Sequence, residues 1–160
     1  MTDIIWSDNS GNRYDVTQIN SLLTDQVINN QKQIHVGSDS HRGRKSKHIA
    51  VAIAICLWSE EIKNGGWYCF KRSYVSKKKL PTIYDRLFYE VQISVETASY
   101  LRDVLGFDIE AVHVNVNPKE SELSSKYAAQ FKGYVEASGF KCYLKPDDWA
   151  AGGVADKHAR

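Results

Sequence analysis

The apolar run His48–Trp58 limits the folds open to this chain more than any other stretch. Its sequence, HIAVAIAICLW, is nearly continuous in apolar residues and rich in Ile and Val, which is typical of a strand buried on both faces. The chain has 160 residues, the size of one ordinary domain, and its hydrophobic share of 42% is enough for a real core. We therefore expect a globular domain with this strand inside its sheet.

Two strand-like segments flank this run, at residues 33–40 and 67–75. The connections are short, and Asn64, Gly65 and Gly66 form a turn signal, so the three strands are predicted to form an antiparallel meander. Helices and strands alternate in the rest of the chain, so the later strands should each be parallel to a neighbour. These later elements are predicted as a helix from Pro81 to about Leu105, a strand at 109–116, a helix at 121–137, a strand at 140–145 and a last short helix.

The order βββαβαβα predicts an α/β fold with a five-stranded mixed sheet. The simplest topology pairs the fourth strand with the first, with the meander on one side and the fifth strand on the other. Residues 1–32 are predicted to form a helical appendage, and residues 33–160 a single domain. The appendage is interpreted as helical because apolar residues recur at helical spacing, at Ile19, Leu22, Leu23 and Val27.

Four polar side chains are predicted to meet where the parallel strands end. Asp39 ends the first strand, in IHVGSDSH, and Asn115 lies near the end of the fourth. Glu90 falls at the margin of the apolar stripe of the long helix and so faces the sheet. Asp156 follows the glycine pair 152–153, which we interpret as allowing its helix to approach the sheet closely. Ligands favour the carboxyl ends of parallel strands in such sheets.

The carboxylates of Asp39, Glu90 and Asp156 would repel one another unless a cation neutralised them. The three cysteines show no metal-type spacing, and oxygen ligands without thiolates select Mg²⁺ or Mn²⁺. Two such ions are a common clamp for attack on a phosphodiester. The alternative for Asp39 alone is that GSDS is simply a turn.

Two basic loops are predicted to lie at the same edge of the sheet as Asp39. They suit the phosphate backbone of a nucleic acid, although lysine runs are also common in solvated loops. Their cations are Arg42, Arg44, Lys45 and Lys47 in the first loop and Lys77, Lys78 and Lys79 in the second.

The element order and the three acids resemble the ribonuclease H-like superfamily. More narrowly, VGSDSH, RLFYEVQISVETASYL, VHVNVNP and KPDDWAAGGVADKH look like the YkuK family of predicted RNase H-like proteins. The resemblance covers roughly residues 33–160, and KPDDWAAGGVADKH is its most specific piece.

The resemblance implies a divalent-metal site carried by Asp39, Glu90 and Asp156, with a fourth acid at the end of the fourth strand. This sequence departs from the family there, because Asn115 stands where an Asp is expected. An amide gives Mg²⁺ or Mn²⁺ a carbonyl oxygen but no charge, so the site would hold three formal negative charges rather than four. Asp147 or Asp148 is a candidate to compensate.

Three histidines are candidates for the proton donor to a leaving group. His113 is the most attractive, because it shares a strand face with Asn115; His41 and His158 are the others. The alternative is that His113 is a polar residue hydrogen-bonded at the end of the sheet.

The residues together favour a Mg²⁺- or Mn²⁺-dependent nuclease that hydrolyses phosphodiester bonds. The alternative function is a non-catalytic nucleic-acid-binding or scaffold domain with a degenerate metal site, which Asn115 motivates. We expect a cytoplasmic protein, because neither a membrane span nor a signal peptide is found. The choice among RNA, DNA and hybrid substrates, and the oligomeric state, stay open.

Overall fold

A seven-stranded mixed sheet organises the computed structural model, which describes residues 4–61, 66–119 and 124–160. The strand order is β2-β1-β5-β4-β3-β6-β7, with β3 parallel to β6 and β6 parallel to β7. The strands are β1 (Trp6–Asp8), β2 (Arg13–Tyr14), β3 (Gln33–Arg42), β4 (His48–Trp58), β5 (Trp67–Ser76), β6 (Ile109–His113) and β7 (Cys142–Tyr143).

In the same described stretches, four α-helices and one π-helical segment complete the fold. They are α1 (Val16–Asn30), α2 (Ile83–Asp103), α3 (Ser125–Ala137), the π-helical segment Trp149–Ala155 and α4 (Asp156–Ala159). Capping boxes begin α1 at Asp15 and α2 at Thr82, because each cap side chain and its partner three residues later satisfy one another's backbone N–H. The observed bounds of α2 and of the three meander strands agree with the predicted ones to within two residues.

The prediction of a five-stranded sheet was wrong, because β1 and β2 add a hairpin beside β5. These strands have three and two residues, too few for an alternating pattern to be recognised. Polar contacts hold the hairpin: the Asp8 carboxylate accepts hydrogen bonds from Ser10, Asn12 and Tyr14. The predicted turn signal at 64–65 and the predicted helix start at 121 lie outside the described residues.

The central strand β4 separates two unlike layers. Its Ile and Val side chains pack toward α2, whereas its alternate residues, which include Ala54 and Cys56, face Ala150 and Ala155 of the π-helical segment. The main core also contains Ile19 and Leu23 of α1, so the proposed appendage packs against the domain. The division at residue 32 stays a prediction.

Gly37 of β3 allows the π-helical segment to lie directly on the sheet. A Cβ atom there would come within 2.6 Å of the backbone of Ala150 and Ala151. The expectation that the pair 152–153 provides this approach is corrected, since a Cβ on Gly152 would instead meet the Asp148 carboxylate at 2.8 Å. The glycine that permits the close contact therefore belongs to the strand.

Within the three described stretches, no helix has the length and apolar character that crossing a membrane requires.

Candidate functional site

A polar cavity of about 630 Å³ opens where β3 and β6 end. Its wall carries both acids and cations, so it is neither an apolar ligand pocket nor a purely acidic one. The lining side chains that bear on its chemistry are Asp39, Asn115, Asn117, Lys119, Lys145, Asp148, Asp156 and Arg160.

Alternation along β3 determines which acids face this cavity. Ser38 donates a hydrogen bond to the Glu90 carbonyl at 2.6 Å, and the Ser40 hydroxyl donates to Glu90 Oε2 at 2.5 Å. Successive side chains of a strand point to opposite faces, so Asp39, between the two serines, points away from α2. The strand therefore places Asp39 and Glu90 on opposite faces of the sheet.

Asp39, Asn115 and Asp156 are brought together as predicted. Asn115 Nδ2 and the Ser40 N–H donate to Asp39 Oδ1 at 2.9 and 2.8 Å. Burial, and then the neighbouring Asp156 carboxyl, raise the pKa of Asp39 to about 7. Arg160 pairs with Asp156 at 3.2 Å and neutralises part of this charge.

The donor set of this cluster fits a hard divalent cation. Asn115 Oδ1 is a buried carbonyl oxygen without a hydrogen-bond partner among the described residues. Such an oxygen is costly to leave unsatisfied, and it lies beside two carboxylates. Carboxylate and amide oxygens are the ligands that Mg²⁺ and Mn²⁺ prefer.

Glu90 faces the sheet, as predicted, but it does not line the cavity. Its side chain is 3% exposed, and Arg86 donates to its partner Ser40 at 3.2 Å. Burial, and then the charge of Asp39, raise the pKa of Glu90 well above its usual range. Among the described residues, no three His, Cys, Asp or Glu side chains form a metal-binding group, so a ligand role for Glu90 stays a prediction.

Asp148 is the acid of the 147–148 pair that faces the cavity. It is buried, whereas Asp147 is exposed. Its Oδ2 atom lacks a hydrogen-bond partner in the described part of the chain, and burial raises its pKa. The sequence named both acids as candidates. Asp148, which directly precedes the π-helical segment, is the one that lines the cavity.

His113 has both ring nitrogens engaged outside the cavity. Its Nδ1 accepts a hydrogen bond from the Ala150 N–H at 3.1 Å, and its Nε2 lies 2.9 Å from His35 Nδ1. The first contact places the proton on Nε2, which therefore donates to His35. Burial lowers the pKa of His113 to about 3 and that of His35 to about 4. This geometry is that of the hydrogen-bonded alternative, and a proton-donor role for His113 stays a prediction.

The two basic loops lie together beyond the end of β3. The Lys77 amide donates to the Lys47 carbonyl at 3.0 Å, and Lys77 Nζ donates to the Gly43 carbonyl. The other six cations of these loops, Arg42, Arg44, Lys45, Lys47, Lys78 and Lys79, are exposed. The predicted common edge is confirmed, and a role in binding nucleic acid stays a prediction.

The structure is that of a mixed-sheet α/β protein with an acid-bearing cavity at the carboxyl ends of two parallel strands. A family model described as Ribonuclease H-like matches residues 16–160, so the chain belongs to the ribonuclease H-like family. This match confirms the superfamily resemblance seen in the sequence. No curated protein and no solved structure matches the chain.

Proposed function

We propose that this protein is a divalent-metal-dependent nuclease that hydrolyses phosphodiester bonds in nucleic acid. One observation carries the proposal: Asp39 and Asp156 lie together, with an unpartnered buried oxygen of Asn115 beside them. Membership of the ribonuclease H-like family supports a function related to nucleic acid. Asp39, Asn115 and Asp156 would hold Mg²⁺ or Mn²⁺, and Asp148 would add a fourth oxygen donor.

A divalent cation in such a site neutralises phosphate charge and lowers the pKa of bound water. Residues of the chain hold the proposed metal ligands in position. Hydrogen bonds from Asn115 and from the Ser40 amide fix one oxygen of Asp39. Lys119, Lys145 and Arg160, on the same cavity wall, suit a phosphate group. The basic loops would bind the flanking backbone, whether of RNA, DNA or a hybrid.

The test of the metal site is calorimetric titration of Mn²⁺ into the wild type and three variants. Asp39→Asn and Asp148→Asn should weaken or abolish binding, because each removes a carboxylate from the cavity. Asp147→Asn is the matched control, since it changes an exposed acid next to Asp148. Equal Mn²⁺ affinity in Asp39→Asn and the wild type would contradict the metal site.

Asn115→Asp restores the acid that the family resemblance implies. We expect it to tighten Mn²⁺ binding by about tenfold or more. A charge within about 4–6 Å shifts the pKa of a neighbouring group by at least about one unit, and one unit corresponds to about a tenfold change in an equilibrium constant. Cleavage of labelled oligonucleotides with Mn²⁺, compared among wild type, Asp39→Asn and Asn115→Asp, then tests the nuclease function. Cleavage that persists unchanged in Asp39→Asn would refute it.

A second candidate function is a non-catalytic nucleic-acid-binding domain. Two observations favour it: Asn115 brings no charge, and Glu90 bonds to Ser40 outside the cavity. This alternative predicts salt-dependent binding that EDTA leaves unchanged, together with no cleavage. Complete loss of binding in EDTA would argue against it.

A further inference from the structure

Two cross-strand rows connect the acid cavity to the outer part of the meander. Asp39 pairs with Ala52, which pairs with Arg72 of β5. His41 pairs with Ala50, which pairs with Tyr74 of β5 in the same way. Residues directly opposite one another in antiparallel strands share a face. Arg72 and Tyr74 therefore lie on the same face of the sheet as Asp39.

Both rows have a buried alanine in the middle, but the row through Ala50 has an exposed side chain at each end. These two side chains are His41 and Tyr74, and Tyr74 is exposed to 61%. With strands about 4.8 Å apart and a rise of about 3.4 Å per residue, the backbones of Tyr74 and Asp39 are about 12 Å apart. A strand of nucleic acid covers this span in a few nucleotides.

One face of the Tyr74 ring is already engaged by a cation. The Arg72 guanidinium lies 5.3 Å from the ring centroid, which leaves the opposite face for another planar group. On its other side the surface ends at α4, where His158 stacks on Phe70 at 3.6 Å. We name the exposed residues His41, Arg72 and Tyr74 the Tyr74 patch.

The charge of the meander is complementary to a polyanion. Residues 40–58 and 66–84 contain no Asp or Glu, although the whole chain is nearly neutral at +2. The same two stretches contain nine cations, which are Arg42, Arg44, Lys45, Lys47, Lys71, Arg72, Lys77, Lys78 and Lys79. The part of the chain that carries the exposed aromatic ring is therefore also the part richest in uncompensated positive charge.

We propose that the Tyr74 patch binds single-stranded nucleic acid by stacking an unpaired base on the Tyr74 ring, with the strand continuing past Ala50 to the Asp39 cavity. Stacking on an exposed ring needs a free base face, which a duplex does not offer along its length. Arg72 and the basic loops bind the phosphates on either side. This inference rests on the proposed function in that it takes the cavity to act on nucleic acid, and it adds the strandedness of the substrate.

The test is fluorescence anisotropy in EDTA, which measures binding without cleavage. The probes are labelled single-stranded RNA and DNA of one sequence and the corresponding duplex. Tyr74→Ala should weaken single-strand binding by about 5- to 100-fold, the range for loss of one stacked base, while Tyr74→Phe retains it. Tyr100→Ala is the matched control, because Tyr100 is 41% exposed on α2.

Wild-type binding to single strands that exceeds binding to the duplex, with loss in Tyr74→Ala alone, supports the proposal for either RNA or DNA. Equal affinities of Tyr74→Ala and the wild type for single strands, tighter binding of the duplex, or no binding of single strands would overturn it. Manganese-dependent cleavage and its loss in Asp39→Asn test the nuclease function separately. A failure of either proposal is thus distinguishable from a failure of the other.

Discussion

The raised pKa of Asp39 makes the stability of the metal-free protein depend on pH. Its pKa is raised to about 7 in the folded protein, from 3.8 for an ordinary aspartate. The folded state therefore favours the protonated form, and the associated stability is lost as pH rises from about 4 to about 7. An unneutralised site of this kind destabilises the protein that contains it.

We predict that Asp39→Asn stabilises the metal-free protein at pH 8 and leaves its stability unchanged near pH 3. The expected gain at pH 8 is on the order of 2–4 kcal/mol, because each unit of pKa shift corresponds to about 1.4 kcal/mol. Thermal unfolding in EDTA across this pH range measures it. A constant difference between variant and wild type at all pH values would show that Asp39 is not strained electrostatically.

The buried imidazole pair predicts the opposite pH dependence. The pKa values of His35 and His113 are lowered to about 4 and about 3, so both rings are neutral in the folded protein. Stability should be full above about pH 6.5 and should fall as the pH drops toward these values. His35→Gln should reduce the pH slope of unfolding between pH 6 and 4 by up to about one proton. An unchanged slope would contradict this assignment.

At the level of residues, sequence reasoning located the polar cluster of the cavity but not the cations Lys119, Lys145 and Arg160 on its wall. Asp39, Asn115 and Asp156 were placed together because each ends or follows an element that reaches one edge of the sheet. The position of Glu90 facing the sheet was also predicted, but its hydrogen bond to Ser40 was not. The alternation of side chains along β3 directs Ser40 toward Glu90. The helical periodicity of α2, from which Glu90 was placed, does not show which strand residue it meets.

At the scale of elements, Gly37 and the π-helical segment position Asp156 against β3. We predict that Gly37→Ala destabilises the protein by about 1–3 kcal/mol, the usual cost of overpacking, because the new methyl group meets backbone at 2.6 Å. It should also weaken Mn²⁺ binding, since α4 directly follows the displaced segment. Chemical denaturation and Mn²⁺ calorimetry measure the two effects.

Gly133→Ala in α3 is the matched control for this substitution. No atom of the described residues lies within 4 Å of a Cβ placed at Gly133, and an alanine inside a helix is favoured over glycine by about 0.5–1 kcal/mol. The control should therefore stabilise the protein and leave Mn²⁺ binding unchanged. Equal effects of the two substitutions would show that Gly37 has no special packing role.

The sequence revealed the long elements by their periodicity, and it revealed the short parallel strand β7 by its position after a helix. The strands β3, β4 and β5 and the helix α2 have ten or more residues, and their periodicity was clear. The hairpin strands β1 and β2 are too short for such a pattern. The π-helical geometry of 149–155 was also missed, since it depends on packing against the sheet rather than on local propensity.

At the scale of the whole molecule, net charge conceals a strong separation of charge. The meander contains nine cations and no acid over the two stretches described above, so all 19 acids of the chain lie outside them. A nucleic acid would therefore meet a positive surface before it reached the acids.

We predict that replacing Lys45, Lys47, Lys78 and Lys79 by Gln weakens oligonucleotide binding and reduces its salt dependence. The slope of log K against log salt should become less steep by about 0.7 for each single-strand phosphate contact removed. Anisotropy titrations at several NaCl concentrations measure this slope. Lys126→Gln with Lys132→Gln on α3 is the control, and an equal change in both variants would exclude a specific role for the basic loops.

Ser40 holds an acid on each side of the sheet at once. Its amide donates to Asp39 on the cavity face, and its hydroxyl donates to Glu90 on the helix face. A shift of β3 along its own axis would break both hydrogen bonds together, so β3 holds Asp39 and Glu90 at a fixed distance from one another.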